Sequence, residues 1–215
     1  NDSCVLWLRG DEENGDVVKD YSPHGNNGVL TATLNDGTII GASWVVDAEK
    51  GKCLSFDGVD DILTIPHNKV LSDFSEFSLA FWTKIPSDSP SGKYICSKLA
   101  GGWGWDTGYG VYFFDGKLRF IVGVEPSGVG TIYVQTDSSP INDDEWHLVV
   151  CTWKNGERRN IFIDGVLNVS AITSNVYSPS TVDLGLGSAS THHFLGSLKD
   201  FRIFSRALSG DEVSA

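Results

Sequence analysis

The chain has 215 residues, with 24 glycines, 11% aromatic residues and 20% charged residues, a balance that suits many strands joined by turns in one domain spanning 1–215. A net charge of −12 argues against nucleic acid and anionic membrane as partners, because both call for a basic face. No apolar run approaches the roughly 18 residues that span a bilayer, so membrane insertion is not expected.

The chain lacks methionine, which predicts a segment processed or excised from a larger, multidomain protein. Asn1-Asp2-Ser3 and Asn168-Val169-Ser170 are glycosylation sequons and point to a secreted or extracellular setting. Cys4, Cys53, Cys96 and Cys151 include no close C-x-x-C pair, which argues against zinc, and they allow three full pairings.

In chain order, Cys4 to Leu8 reads as a short strand followed by a polar run from Asp11 to Asp16. The segment Asp20-Tyr21-Ser22-Pro23-His24-Gly25-Asn26-Asn27-Gly28 is dense in turn formers. Its carboxylate and amide oxygens suit a hard cation such as calcium, while an Asx-turn in which Asp20 caps its own backbone is the plainer reading. Phe56-Asp57-Gly58 ends one strand and Ile62 to Ile65 forms the next. Asp57, Asp60 and Asp61 between them offer metal ligands, although turn chemistry is the commoner role of such acids. Phe77, Leu79 and Phe81 alternate with Ser78, Ala80 and Trp82, as in a strand with one buried face. Lys93 to Lys98 reads as a further strand ending in a Ser-Lys corner.

The segment Ala100-Gly101-Gly102-Trp103-Gly104-Trp105-Asp106-Thr107-Gly108-Tyr109-Gly110 sets two Trp and a Tyr among five glycines. Such a loop is costly to order, and glycine lets a backbone approach a ligand closely. Trp103, Trp105 and Tyr109 offer aromatic faces on which the apolar faces of sugars stack, and Asp106 offers a carboxylate for hydroxyls or calcium. A loop whose Trp merely plugs the end of a sandwich is the alternative.

Gly110 to Phe114 and Lys117 to Val122 flank Asp115-Gly116 as a hairpin, and Ile132 to Gln135 is a strand. Trp146, Leu148 and Val150 share one face of the next strand, opposite His147, Val149, Cys151 and Trp153. Lys154-Asn155-Gly156 reverses the chain into Asn160 to Ile163, and Asp164-Gly165 turns it again. Val182 to Gly187 is a short glycine-containing strand. It leads to the polar loop Ser188 to His193, whose His192 and His193 suit metal or sugar contacts or plain exposure. The last strand is Phe194 to Phe204, and Ser209 caps a short terminal turn.

The Trp146–Gly165 hairpin, the Phe56-Asp57-Gly58-Val59-Asp60-Asp61 string and the ending Gly196-Ser197-Leu198-Lys199-Asp200-Phe201-Arg202-Ile203-Phe204-Ser205-Arg206-Ala207-Leu208-Ser209 resemble the laminin G-like, concanavalin A-like jelly rolls, the group that includes the pentraxins. The resemblance runs from Trp7 to Val213 and implies an all-β, antiparallel β-sandwich jelly roll. It also implies a structural calcium ion at the Asp20 loop, with Asn27 contributing and Asp200 meeting it from the last strand. Lys199 stands where many relatives carry a second acid. A pentraxin-style double-calcium site is not expected, because Ser188 to His193 carries no carboxylate. The meeting of terminal strands in the family implies a Cys4–Cys53 disulfide, which leaves Cys96 and Cys151 either bonded or as buried thiols.

Hydrolases on this fold place alternating acids on one strand, typically Glu-x-Asp-x-x-Glu, to flank a glycosidic bond. No such run exists here; the clusters Asp11 to Glu13 and Asp143 to Glu145 fall in turns. A polysaccharide-cleaving enzyme is therefore the weaker reading. The expectation is a non-catalytic, lectin-like module that recognises a polysaccharide or glycoprotein glycan through the Trp103–Tyr109 loop, with His192 and His193. A calcium-dependent protein-binding or adhesion domain of laminin G type is the alternative.

Overall fold

The computed structural model describes residues 3–12, 15, 17–31, 42–100, 107–125, 131–137 and 141–214. Among these the strands in chain order are β1 (Cys4–Leu8), β2 (Val17–Val18), β3 (Gly28–Thr31), β4 (Ser43–Asp47), β5 (Gly51–Asp57) and β6 (Ile62–Ile65). They continue with β7 (Glu76–Lys84), β8 (Lys93–Ser97), β9 (Tyr109–Phe114), β10 (Lys117–Glu125), β11 (Thr131–Gln135) and β12 (Trp146–Lys154). The last are β13 (Arg158–Ile163), β14 (Val166–Ile172), β15 (Val176–Tyr177), β16 (Leu184–Leu186) and β17 (Leu195–Phe204), before the helix α1 (Gly210–Ser214). None of the described helices is long and apolar enough to cross a membrane.

Two antiparallel sheets form the expected sandwich. One runs β14-β13-β12-β7-β17-β5-β4, with β1 also on β17; the other runs β11-β10-β9-β8-β16-β6-β3-β2, with β15 on β10. The period-two pattern decides which face turns inward. Phe77, Leu79 and Phe81 on β7 and Val149, Cys151 and Trp153 on β12 are fully buried between the sheets. Aromatic rings from both sheets meet there, with Phe77 5.1 Å from Tyr109 and 5.9 Å from Phe120 between ring centroids.

Trp146, Leu148 and Val150 occupy the other face of β12, and Val150 packs with Phe162 and Val213 under α1. Ser209 and Glu212 cap that helix reciprocally, each backbone N–H donating to the other's side chain, at 3.0 and 3.3 Å. Asp115 (φ 52°) and Gly116 (φ 74°) both take the left-handed conformation that a two-residue hairpin turn demands.

The expected Cys4–Cys53 disulfide is corrected by the topology, and all four cysteines are buried free thiols. Cys4 lies opposite Phe204 on β17, whereas Leu54, next to Cys53, lies opposite Leu198. That offset along β17 is roughly 16 Å at strand rise, against the Cα separation of about 4.4–6.8 Å that a disulfide needs. Cys96 and Cys151 sit in opposing sheets within one core, and stacked sheets are about 10 Å apart. Burial pushes the Cys96 thiol up to about 12, and it raises that of Cys151 as well. Both behave as small apolar core residues.

Trp153 is wholly buried, and its indole donates to Asn155 Oδ1 at 2.8 Å, tying the strand to the turn that follows it. Trp153→Ala is expected to cost roughly 3–5 kcal/mol in urea unfolding.

His147, at the start of β12, is held between Asp164 Oδ2 at 2.7 Å and Asp143 Oδ1 at 3.1 Å. Burial lowers its pKa, but the hydrogen bonds and charges of the two carboxylates outweigh this and raise it above the ordinary 6.5. The stabilisation is therefore fully present below about pH 6.5 and lost as pH rises through the higher folded value. Melting curves of wild type and His147→Gln should differ more at about pH 5.5 than at about pH 9.

Candidate functional site

Trp103, Trp105 and Asp106 lie outside the described residues. The two ends of their loop are defined: Ala100 and Thr107 form an antiparallel bridge. Lys98 N–H donates to Tyr109 O at 2.8 Å, and Gly108 N–H donates to Ser178 O at 2.8 Å. Gly108 (φ 89°) passes so close to β8 that a Cβ there would lie 2.0 Å from the Lys98 carbonyl oxygen. This glycine serves a close approach of backbone to backbone.

Tyr109 is corrected from the ligand-contacting set. Its ring is fully buried and its hydroxyl donates to Leu71 O at 3.0 Å, so no face is left for a sugar. Its place on the inward side of β9, opposite Val122 on β10, fixes that orientation.

Because β16 runs antiparallel to β8, the loop after β16 lies beside the start of β8, at the opposite end of that strand from the aromatic loop. Tyr94 N–H on β8 donates to His192 O at 3.3 Å, and the His192 ring stands edge-on to Tyr94 at 6.1 Å. His192 is exposed, whereas His193 is half-buried with a solvent-shielded Nδ1 that has no hydrogen-bond partner among the described residues.

Between the two loops lies an open cleft of about 380 Å³ on the outer face of the nine-stranded sheet. Thr64, Gly185 and Ser97 form its floor, with Leu99 on the aromatic-loop side and Ala189 and Ser190 on the opposite rim. Tyr94, Leu99 and Ile121 pack together beside it, with Tyr112 and Ala189 against them. From there aromatic rings continue outward: Tyr94 lies 4.6 Å from Tyr112, and Tyr112 lies 6.0 Å from Phe114. The Arg119 guanidinium covers Phe114 at 4.0 Å. This aromatic row on the outer sheet face has a sequence signal, the period-two Tyr112 and Phe114 on β9, which reads equally well as ordinary strand alternation.

Lys98, at the end of β8, is a buried cation. Its Nζ donates to Val182 O and meets His67 Nδ1 at 3.0 Å. Burial pulls its pKa down to about 8, against the opposing charge of Asp183. The Ser-Lys corner legible in the sequence is thus a tie from β8 to the segment leading into β16.

Asp20, Asn27 and Asp200 form a brace around Trp7. Asp20 Oδ1 accepts from the N–H groups of Trp7 and Ser22, while Oδ2 accepts from Ser22 Oγ and Asn26 N–H, all within 2.7–2.9 Å. Asn27 Oδ1 accepts from Asp20 N–H at 2.9 Å. Asp200 accepts from the Trp7 indole at 2.5 Å and pairs with Arg202 at 2.6 Å. Both oxygens of Asp20 are filled, a guanidinium already neutralises Asp200, and Trp7 bonds to each. As packed, this donor set does not fit a calcium ion.

A second groove, of about 500 Å³, lies on the outer face of the other sheet, lined by Trp7, Leu148, Val150, Arg202, Leu208 and Val213. Arg202 stacks over Trp7 there at 4.8 Å.

The architecture is that of the lectin-type jelly rolls. A family model described as the concanavalin A-like lectin/glucanases superfamily matches residues 57–214, and the chain belongs to that superfamily. No curated protein sequence matches it. Among solved structures, the binding domain of Paraclostridial Mosquitocidal Protein 1 is similar at TM-score 0.76 and 17% identity, covering 99% of this chain and 51% of that one. The botulinum neurotoxin serotype D ligand-binding domain in complex with N-acetylneuraminic acid has TM-score 0.71 and 17% identity, over 99% and 50%. The binding domain of botulinum neurotoxin DC in complex with rat synaptotagmin II has TM-score 0.74 and 14% identity, again over 99% and 50%. The chain thus spans about half the length of these structures, and at such identities the likeness is one of fold.

Gly108→Ala is expected to lower stability by roughly 2–3 kcal/mol, since it combines a left-handed φ with a clash against backbone. Urea unfolding measures this, and a loss near zero would mean that Lys98 and Gly108 do not approach so closely.

Proposed function

We propose that the chain is a non-catalytic carbohydrate-binding module whose ligand occupies the cleft between the β8–β9 and β16–β17 loops. The observation that carries this is the cleft itself, which joins the foot of the Trp103–Trp105 loop to the loop of His192 and His193. Polar groups at the floor and rim (Thr64, Ser97, Asp183 and Ser190) offer hydroxyl and carboxylate partners, and Leu99, packed with Tyr94, gives the cleft an apolar side. Trp103 and Trp105 stack on the sugar and Asp106 accepts from its hydroxyls. The serotype D ligand-binding domain, about half of whose chain this fold matches, is in complex with N-acetylneuraminic acid, which makes sialylated glycans a class to include. The glycan partner, borne by a polysaccharide or a glycoprotein, belongs with an extracellular setting and a multidomain parent.

A protein-binding or adhesion domain is the second reading. It is favoured by the second groove, where Leu148, Val150, Leu208 and Val213 present an apolar surface flanked by Arg202 and Arg206.

A glycan array that includes sialylated members, run with wild type, Trp103→Ala, Trp105→Ala and the cleft-filling Ala189→Trp, tests the first reading. Each variant should melt normally and weaken binding at least about tenfold, equivalent to about 1.4 kcal/mol. Absence of any bound glycan, or binding unchanged in all three variants, would refute it and direct attention to the apolar groove.

A further inference from the structure

We propose that Asp57, Asp60 and Asp61, in the turn between β5 and β6, form a binding site for a calcium-class divalent cation. One carboxylate oxygen from each residue lies within 4.8 Å of those of the other two. Asp60 is 7% and Asp61 is 2% exposed. On each, Oδ1 is shut off from solvent, with no hydrogen-bond partner among the described residues. Among the described residues, none of the three acids forms a salt bridge.

Carboxylates buried in this way are costly unless a counter-charge accompanies them. The turn's own hydrogen bonds use different oxygens: Asp61 Oδ2 accepts from Asp57 N–H and Asp57 Oδ1 accepts from Val59 N–H, both at 2.8 Å. The cluster offers carboxylate oxygens alone, without sulfur or imidazole. That chemistry selects a hard cation over zinc or copper, and backbone carbonyls or water complete the shell. Asp57 is exposed and gives the ion its way in.

Position gives the site a role. Asp57 lies opposite Leu195, the first residue of β17. Ile62, next to Asp61, lines the cleft between the loops. A cation here would fix the crossover from one sheet to the other beside the start of β17. The site is independent of the glycan reading, because it rests on the buried oxygens alone.

The test is calcium binding by isothermal titration to EDTA-stripped wild type, Asp57→Asn, Asp60→Asn, Asp61→Asn and Asp20→Asn, together with melting curves in calcium and in EDTA. Wild type should bind one ion and melt several degrees higher in calcium. Each variant in the turn should weaken binding at least tenfold, and Asp20→Asn should leave it unchanged. Asp57→Asn alters only an exposed side chain and keeps the test open should a buried variant fail to fold. The proposal is overturned if wild type binds no calcium at millimolar concentration. It is equally overturned if binding survives Asp57→Asn and follows Asp20→Asn instead. A cluster that holds a proton in place of a metal would reveal itself by Asp61→Asn melting higher than wild type in EDTA with no calcium bound, which also overturns it.

Discussion

The hydrogen bonds that converge on Trp7 hold the first strand to the last, and the closure of the sandwich depends on them. Its backbone N–H reaches Asp20, its indole reaches Asp200, and its ring lies under Arg202. Asp200 occupies this place because β17 bulges there: the register against β7 slips between Lys199 and Arg202, and Asp200 takes φ 56°. The residue's N–H, freed from the ladder, donates to Arg9 O at 3.0 Å. A strained aspartate thus lets one strand pair with β5 along its first half and with β1 along its second. The same acids read from sequence as a calcium set are the ones that build this joint. The residue types match a cation site, but only the geometry shows that protein donors already fill them.

Much of the fold was legible because alternation and turn chemistry are local. Ile62 to Ile65, the β9–β10 hairpin about Asp115-Gly116, and the buried row of Phe77, Leu79 and Phe81 follow from period and from residues that tolerate positive φ. β14 leaves little trace in the sequence, for a physical reason. It is the outermost strand of its sheet, Val166 and Ile172 are largely exposed, and Asn168 and Ser170 interrupt the apolar pattern. β2 and β15, two residues each, exist only because a partner strand is present.

The site was legible only in part. Sequence reasoning located both loops but not what lies between them, since the pairing of β8 with β16 is a contact between residues some ninety positions apart. The glycines around Trp103 suggested backbone open to a ligand, yet Gly108 is consumed by a crossing with Lys98. Tyr109 adjoins Trp103 and Trp105 in sequence, although strand alternation at β9 turns it inward. Buried Lys98 gave no sign of burial, since a lysine at a strand end is ordinarily solvated. Its stem crosses the sheet end to reach Val182 O, a contact set by tertiary packing alone.

These buried polar groups share a location that follows from the sheet itself. The cleft floor is formed at a short strand of the nine-stranded sheet: β16 has three residues, paired at three positions with β6 and two with β8. Side-chain hydrogen bonds reinforce this short ladder on either side. Lys98 ties one end of this patch to Val182 and His67, and Ser72 closes a loop onto Ser180 through hydrogen bonds of 2.6 and 3.0 Å. At the other end of β6, Asp61 accepts from the backbone of Asp57. Polar fastening of this kind leaves the outer face free of the bulky apolar cover that longer strands would carry, and that is the condition for a cleft. Its cost is buried charge at both ends of β6. At one end a lysine is relieved by neutral acceptors and by a lowered proton affinity. At the other, two aspartates have oxygens with no donor among the described residues, and the proposed cation site rests on them.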